Sequence, residues 1–135
     1  AAHFLPQRPG LAYTGVDIVA HVIEENRRHH PALDFRCVDL GGEFADVSAL
    51  PAVDLVFSKE TLNHMVVQDA LRAVHRWRTM GCKFLLANIA RGAPNFRGVE
   101  KGGHMNYAHY DYELPPFCLR KFAPLVEINA DDWSE

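Results

Sequence analysis

Short apolar segments alternate with amphipathic helical segments through residues 11–87, and this alternation restricts the chain to few folds. Strands are predicted at residues 11–17, 34–40, 53–58 and 82–87, and helices at residues 19–30 and 67–80. Strands that alternate with helices pair in parallel through crossover connections. The sequence therefore predicts an α/β fold, with a mostly parallel sheet flanked by helices.

The second predicted helix has the clearest pattern in the chain. Its apolar residues recur at helical spacing on one face: Val67, Ala70, Leu71, Val74 and Trp77. Gly81 follows, and glycine most readily takes the left-handed conformation that ends a helix. The strands on either side, at residues 53–58 and 82–87, are apolar almost throughout, which predicts that both faces of each strand are buried.

Length and composition bound the remaining possibilities. With 135 residues, 48% of them hydrophobic, the chain is expected to form a single domain over residues 1–135. The 14 basic and 17 acidic residues form no basic stripe, which argues against a nucleic-acid surface. No membrane span or signal peptide is visible, and the cysteines at 37, 82 and 118 lack disulfide or zinc spacing. We therefore expect a cytoplasmic protein whose cysteines are small buried side chains.

Polar residues stand where the predicted strands end. Asp17, Asp39, Ser58 and Asn88 each lie at the carboxyl end of a strand or close behind it. Open parallel sheets bind ligands outside these ends, so a binding site is expected there.

Two of these residues are carboxylates, and each has two interpretations. Asp17 lies between a strand and a helix, where a carboxylate can accept both hydroxyl protons of a ribose. The same position suits a helix N-cap, and the two roles are compatible. Asp39 precedes the apolar Leu40, so it is placed to accept from an adenine amino group while Leu40 packs on the ring. A turn-forming aspartate would look the same in sequence.

The segment Ser58-Lys-Glu-Thr-Leu-Asn-His64 carries candidate catalytic groups. Glu60 and His64 are four residues apart, a spacing that suits an acid–base pair or two ligands of a metal site. No third ligand stands at a recognised spacing, so no metal is predicted.

Residues 89–122 are predicted to be irregular and are rich in Gly, Asn, Pro and aromatic residues. Long segments of this kind often shape ligand sites, and Asn95, Asn106 and the tyrosines are candidates to line a polar substrate pocket. Alternatively, Tyr107, Tyr110 and Tyr112 cover the sheet edge. A last strand is predicted at residues 125–130.

Several motifs follow one another in a fixed order: Tyr13-Thr-Gly-Val-Asp-Ile18, Asn26-Arg-Arg28, Phe35-Arg-Cys-Val-Asp39, Leu50-Pro-Ala-Val-Asp-Leu-Val56, Lys59-Glu-Thr-Leu-Asn-His64 and Gly81-Cys-Lys-Phe-Leu-Leu86. They are followed by Asn95, Gly102, Gly103, Asn106, Pro116 and Phe117. In this order and spacing the chain resembles class I S-adenosylmethionine-dependent methyltransferases, in particular a group of small bacterial methyltransferase-like proteins. The resemblance spans about residues 13–128 and implies a Rossmann-like fold.

The resemblance also implies roles for individual residues. The implied cofactor-binding residues are Asp17 and Ile18 at the ribose, Asp39 and Leu40 at the adenine, and Ser58 and Lys59 at the methionine end of S-adenosylmethionine. The implied acceptor-pocket residues are Asn88, Asn95, Asn106, Tyr107 and Phe117. The family has no universal catalytic base, and His64 is a candidate for one here.

One part of the family pattern is missing before Asp17. Family members carry an acidic-x-Gly-x-Gly-like turn after a first strand that lies in the middle of the sheet, and residues 1–11 contain no such turn. We therefore expect an N-terminally incomplete domain in which cofactor binding is weakened or lost.

The missing strand has structural consequences. The strands at residues 11–17 and 53–58 are expected to pair directly, or the protein to form a homodimer or recruit a partner chain. The sequence leaves open whether the acceptor is a small molecule or a protein side chain. It also leaves two alternative functions: a non-enzymatic binding or assembly module with the same fold, and a hydrolase built on Glu60 and His64.

Overall fold

The computed structural model describes residues 8–95 and 107–119. Within this part the chain forms β1 (Thr14–Asp17), α1 (Ala20–His29), β2 (Asp34–Cys37), β3 (Leu55–Ser58), α2 (Val67–Thr79) and β4 (Phe84–Ala87). A 3-10 turn at Leu62–His64 precedes α2. The strands and helices predicted between residues 11 and 87 are confirmed with shorter bounds, whereas the strand predicted at residues 125–130 lies outside the described residues.

The described strands form two separate parallel pairs. β1 pairs with β2, with Asp17 opposite Cys37, and β3 pairs with β4, with Ser58 opposite Ala87. Helix α1 connects the first pair and α2 the second, so this part of the chain consists of two βαβ units. Of the two predicted alternatives, direct pairing of β1 with β3 is wrong for the described residues, where these strands belong to separate sheets. The other alternative, a homodimer or a partner chain, stays a prediction.

Helix α1 packs on the β1–β2 pair around two buried side chains. Ile23 on α1 and Phe35 on β2 are 2% and 6% exposed. Gly15 on β1 lies so close to the Phe35 ring that a Cβ atom would stand 2.6 Å from the ring carbon Cδ1, so this position requires glycine. Arg27 of α1 donates hydrogen bonds of 3.0 and 2.6 Å to the Phe35 carbonyl oxygen, which ties the helix to the backbone of β2.

The main core lies between α2 and the aromatic segment, which is the name used below for residues 107–119. The buried members on α2 are Ala70, Ala73, Val74 and Trp77, and those on the aromatic segment include Tyr110, Tyr112 and Phe117. The rings of Tyr110 and Tyr112 each meet the Phe117 ring edge to face, with centroids 5.2 Å apart. The apolar stripe predicted on this helix is therefore confirmed.

Gly81 ends α2, as the sequence predicts. It has a φ of +86°, in the left-handed region that glycine adopts without steric cost. The N–H of Cys82 donates to the Trp77 carbonyl at 3.0 Å and that of Gly81 to the Arg78 carbonyl at 3.1 Å. These two bonds satisfy carbonyl groups that the end of a helix leaves open.

Two arginines of α2 tie the βαβ units together. Arg72 donates from Nε to the Gly41 carbonyl at 2.7 Å. Arg76 donates from Nη1 to the Leu40 carbonyl at 2.5 Å and from Nη2 to the Glu43 carbonyl at 3.2 Å. All three acceptors lie in the loop that follows β2, so the first unit is held against the helix of the second. A guanidinium suits this task because its planar fork presents several donors in fixed directions.

One face of the β3–β4 pair carries an exposed apolar patch, called the bare face below. Leu55 lies opposite Phe84 and Phe57 opposite Leu86, and these four side chains are 52%, 62%, 67% and 45% exposed in that order. The prediction that both strands are buried on both faces is therefore wrong. In the described part of the chain, α2 and the aromatic segment cover only the opposite face, where Val56 packs against the main core.

All three cysteines are free thiols, and their burial differs from the expectation. Cys37 and Cys118 are exposed and Cys82 is half-buried, so the expectation of small buried side chains is wrong for the first two. Cys37 is the last residue of β2 and Cys118 lies in an irregular stretch, and the core does not extend over either position.

Replacement of Arg76 by methionine is expected to destabilise the protein. Arg76→Met keeps the apolar stem but removes both hydrogen bonds to the loop after β2, each from a charged donor. The free energy of unfolding should fall by about 1–3 kcal/mol, measured by urea denaturation. Arg78→Met is the matched control on the exposed side of the same helix and should change the free energy little. Equal effects of the two changes would contradict the linking role of Arg76.

Candidate functional site

The carboxyl ends of the strands place the predicted polar residues in two groups. Asp17 ends β1 and Asp39 follows β2, so both belong to one end of the first strand pair. Ser58 ends β3 and Asn88 directly follows β4, so both belong to the corresponding end of the second pair. These are the strand ends that the sequence indicated, and contact with a cofactor there stays a prediction.

Asp17 helps the chain turn into helix α1. Its Oδ1 atom accepts a hydrogen bond of 2.9 Å from the backbone N–H of Val19. Val19 is the N-cap residue of the helix, so Asp17 supports the helix start from two residues before the cap and is not itself the cap. The neighbouring Ile18 is 61% exposed. The predicted ribose contact of this pair stays a prediction.

Asp39 forms a tight turn. Its Oδ1 atom accepts hydrogen bonds from the backbone N–H groups of Gly41 and Gly42, at 3.0 and 2.9 Å. A Cβ on Gly42 would lie 2.7 Å from Asp39 Oδ2, so a side chain there would displace the carboxylate that forms the turn. The turn-forming interpretation is confirmed. Leu40 is half-buried and packs against the main core, and the predicted adenine contact of both residues stays a prediction.

The end of β3 leads into an unusual backbone conformation. Ser58 is 4% exposed, and its Oγ atom is buried with no hydrogen-bond partner among the described residues. Lys59 is exposed. Glu60 has a φ of +54°, a left-handed conformation that is costly for a residue with a side chain. Its N–H donates to Asn88 Oδ1 at 2.9 Å, so the end of β4 holds this turn in place.

Glu60, Asn63 and Tyr107 form a polar cluster beside this turn, called the polar triad below. The side-chain nitrogen Nδ2 of Asn63 donates to the Tyr107 hydroxyl at 2.6 Å and to Glu60 Oε2 at 3.3 Å. The N–H of Ala108 donates to the Asn63 carbonyl at 2.6 Å, which fixes the start of the aromatic segment against the turn. Residues more than forty positions apart in sequence thus meet at one place.

Burial and charge act in the same direction on the Tyr107 hydroxyl. Its pKa is raised above the ordinary value, first because burial disfavours the charged phenolate and then because the hydroxyl hydrogen-bonds to the Glu60 carboxylate. The Asn63 amide, which donates to the hydroxyl, acts in the opposite direction and is outweighed. Tyr107 is therefore a neutral hydrogen-bonding group at physiological pH.

His64 and His109 flank the same tyrosine. The His64 ring lies 5.4 Å and the His109 ring 5.0 Å from the Tyr107 ring, both edge to face. His64, the predicted base, is exposed at the end of the 3-10 turn. No group of three His, Cys, Asp or Glu side chains within residues 8–95 and 107–119 is placed to hold a metal ion.

Asn95, a predicted substrate residue, holds the aromatic segment together. It is 1% exposed, and its Nδ2 donates to the carbonyl groups of Asp111, Leu114 and Pro115 at 2.7, 3.3 and 2.8 Å. Its Oδ1 accepts from the N–H of Asp111 at 2.9 Å. These contacts give Asn95 a structural role, and a contact with substrate stays a prediction.

The other predicted substrate residues differ in how deeply they are buried. Phe117 is 7% exposed and belongs to the main core, as do Tyr110 and Tyr112. Tyr107 is 39% exposed and belongs to the polar triad. Asn106 lies outside the described residues. The buried rings of the aromatic segment thus cover helix α2, whereas Tyr107 at its start is exposed near the strand ends.

Sequence analysis did not identify Asn63. An asparagine in a polar segment has no distinguishing pattern, and its contact with Tyr107 depends on the fold. The available signal was its position between Glu60 and His64, on the turn that follows a strand end. Asn88 was identified by position, but its bond to the Glu60 backbone was not foreseen.

Replacement of Glu60 by glutamine is expected to lower the pKa of Tyr107. Glu60→Gln removes a negative charge that disfavours the phenolate, whereas the effect of burial remains. Carbon-13 NMR titration of tyrosines labelled at Cζ would measure the shift, with Tyr107→Phe identifying the resonance. Glu43→Gln, an exposed residue in the loop after β2, should leave this pKa unchanged. An unaltered pKa in Glu60→Gln would contradict the contact between the two side chains.

A family model described as a methyltransferase domain matches residues 1–86, which is more than half of the chain. The matched span includes the first βαβ unit, the polar turn after β3 and helix α2. A search of curated proteins and a search of solved structures each give no match.

Proposed function

Because the chain belongs to the methyltransferase domain family, we propose that it transfers a methyl group from S-adenosylmethionine to an acceptor molecule. The observation that carries the proposal is the position of Asp17, Asp39 and Ser58 at the carboxyl ends of parallel strands, inside the span that the family model matches. Parallel sheets bind their ligands at these ends.

The residues at the strand ends suit the chemical groups of S-adenosylmethionine. The ribose hydroxyls and the adenine amino group are all donors. Asp17 and Asp39 each use Oδ1 in a local turn, which leaves Oδ2 of each as an acceptor within the described residues. The Oγ of Ser58 is buried, so the support at the end of β3 is the position of Ser58 in the chain and the exposed Lys59 that follows it. The proposed assignments are Asp17 and Ile18 to the ribose, Asp39 and Leu40 to the adenine, and Ser58 and Lys59 to the methionine end.

The protein's own contribution is to position the acceptor. When bound, S-adenosylmethionine supplies a methyl group on a positively charged sulfur, which a nucleophile attacks in line. Holding the nucleophile in that line and keeping water away lowers the entropic part of the barrier. Asn88 and Tyr107 meet the turn that follows Ser58, which supports a place for the acceptor beside that turn.

Isothermal titration calorimetry with S-adenosylmethionine and S-adenosylhomocysteine tests the proposal. Both ligands are expected to bind, with the weakened affinity that the sequence predicts. Asp17→Asn and Asp39→Asn are each expected to raise Kd further, about tenfold or more, because a hydrogen bond to a charged group contributes about 1.5–3 kcal/mol. Asparagine retains the Oδ1 acceptor, so the local turns should be preserved.

Asp46→Asn is the matched control for this titration. Asp46 Oδ1 accepts from the N–H of Ser48 at 2.9 Å, so it forms the same kind of turn on the exposed loop after β2. Its substitution should leave Kd unchanged. Failure of the wild-type protein to bind either ligand would contradict methyl transfer and favour the alternative of a binding module with the same fold.

The protein is proposed to act in the cytoplasm, on a small molecule or a protein side chain and not on nucleic acid. The 14 basic and 17 acidic residues give a net charge of -3, which disfavours a nucleic-acid surface. The three free cysteines suit a reducing compartment. Within the residues described, neither helix has the length and apolar character needed to cross a bilayer.

A homodimer is proposed to cover the bare face of the β3–β4 pair. Contiguous apolar patches on a protein surface commonly mark interaction sites, and this patch contains two leucines and two phenylalanines without a charge. A second copy related by a two-fold axis would set apolar side chains against apolar side chains. The lack of pairing between β1 and β3 leaves strand edges at which such a copy can also add.

Phe57→Lys is expected to shift the protein from dimer to monomer, because it introduces a charge in the middle of the bare face. Size-exclusion chromatography with light scattering would measure the mass. Phe44→Lys is the matched control, since Phe44 is 92% exposed and belongs to the loop after β2 and to no strand. A wild-type monomer, or dissociation by both changes alike, would contradict this interface.

A further inference from the structure

The turn that carries Asp39 is hydrogen-bonded on two sides. On one side, Asp39 Oδ1 accepts from the backbone N–H of Gly41 at 3.0 Å. On the other side, the Leu40 carbonyl oxygen accepts from Arg76 Nη1 at 2.5 Å. The Leu40 carbonyl and the Gly41 N–H belong to one peptide group, which is planar and in its trans form directs the two in opposite directions. A single rigid group therefore connects the Arg76 guanidinium to the Asp39 carboxylate.

The next peptide group repeats this arrangement with Arg72. Arg72 Nε donates to the Gly41 carbonyl oxygen at 2.7 Å. At the other end of the same peptide group, the Gly42 N–H donates to Asp39 Oδ1 at 2.9 Å. Asp69, one turn earlier on α2, accepts from Arg72 Nη2 and so fixes the direction of the guanidinium. One carboxylate oxygen is thus connected to two arginines, each through one peptide group.

Charge strengthens both connections. A hydrogen bond with an ionised partner is roughly twice as strong as one between neutral groups, and each of these peptide groups has an ionised partner at both ends. In a chain of hydrogen bonds each bond also polarises the next, so a cation at one end strengthens the bond to the carboxylate at the other. The two bonds to Asp39 Oδ1 are therefore stronger than those of a turn without such cations.

The side chain of Asp39 has few other restraints. It is exposed at the strand end, and these two N–H groups are the donors that the described residues offer to its Oδ1 atom. An exposed side chain loses rotational freedom when a ligand orders it, and this loss weakens binding. A carboxylate that is already held at Oδ1 avoids this loss, while its Oδ2 atom stays available to a donor.

We propose that Arg72 and Arg76 are positioning residues of the cofactor site. They hold the Asp39 carboxylate in one orientation, so that Oδ2 meets the adenine amino group without a further loss of freedom. Neither arginine contacts the ligand, since both act through the peptide groups of the turn. The inference rests on the proposed function, and it adds to that site two residues of α2, which belongs to the other βαβ unit.

Amide hydrogen exchange tests the connection without any ligand. Arg76→Met is expected to speed exchange of the Gly41 N–H, and Arg72→Met that of the Gly42 N–H, each about fivefold. This factor corresponds to the loss of about 1 kcal/mol of hydrogen bonding. NMR saturation transfer from water measures these rates for exposed amides. Unchanged exchange at both glycines would overturn the connection.

The same spectra contain two controls. The N–H of Ser48 donates to Asp46 Oδ1 at 2.9 Å, in a turn of the same kind farther along the loop. Its exchange rate should be the same in the wild type and in both arginine variants. Arg78→Met removes an equal charge from the exposed side of α2 and should leave the exchange of both glycines unchanged.

Calorimetry with S-adenosylhomocysteine tests the effect on binding. Arg72→Met and Arg76→Met are each expected to raise Kd about fivefold, because Asp39 regains freedom that binding must then remove. Circular dichroism at the temperature of the titration verifies that the variants are folded. Each variant removes one of the two connections, so one folded variant is sufficient for the test. Arg78→Met should bind with the wild-type Kd.

Double variants separate positioning from a general loss of structure. In Asp39→Asn the proposed adenine contact is already lost, so the addition of Arg72→Met should raise Kd by less than about twofold. In Asp17→Asn that contact remains, so Arg72→Met should again raise Kd about fivefold. A merely structural role would give the same factor in both backgrounds, and this result would refute the positioning role.

The proposed function and the positioning role fail in distinguishable ways. A wild-type protein that binds neither S-adenosylmethionine nor S-adenosylhomocysteine overturns the proposed function, and with it the ligand that the arginines serve. A wild-type protein that binds both ligands, with Kd unchanged in the two arginine variants, overturns the positioning role alone.

Discussion

The packing of Tyr110, Tyr112 and Phe117 onto α2 is the contact on which the candidate site depends. Burial of an aromatic side chain contributes about 1.5–3 kcal/mol, so three adjacent rings hold their segment firmly against the helix. The Tyr110 hydroxyl also donates to the Met65 carbonyl at 2.7 Å, just before α2 begins. Only Ala108 and His109 separate Tyr107 from the buried Tyr110, so the packing of Tyr110 in this core also limits where Tyr107 can lie.

The second constraint is the pair of arginines that joins the βαβ units. A ligand bound as proposed would contact Asp17 and Asp39 on the first unit and Ser58 on the second. The described units share no strand pairing, and the hydrogen bonds from Arg72 and Arg76 to the loop after β2 connect the first unit to the helix of the second. The loop that carries Asp39 is thus also the loop that orients the two halves of the site.

Periodicity predicted the elements of the fold because it reflects local structure, and it could not predict what covers each element. The stripe on α2 faces the core as expected, whereas Leu55 and Phe57 are exposed because an apolar strand does not specify its neighbours. The strand-end residues were located by the same local signals. The role of Asn95 and the contact between Asn63 and Tyr107 depend on residues distant in sequence, and no local pattern indicates them.

The left-handed backbone at Glu60 brings backbone stability into conflict with the composition of the candidate site. Glycine adopts this conformation without steric cost, so a glycine at position 60 would relieve about 1 kcal/mol of strain. It would also delete the carboxylate. Redesign of the protein for heat resistance, guided by the fold alone, would therefore favour a substitution that removes a carboxylate from the candidate site. A thermostable variant in which Asn63 has lost its acidic neighbour is the expected product of such an optimisation.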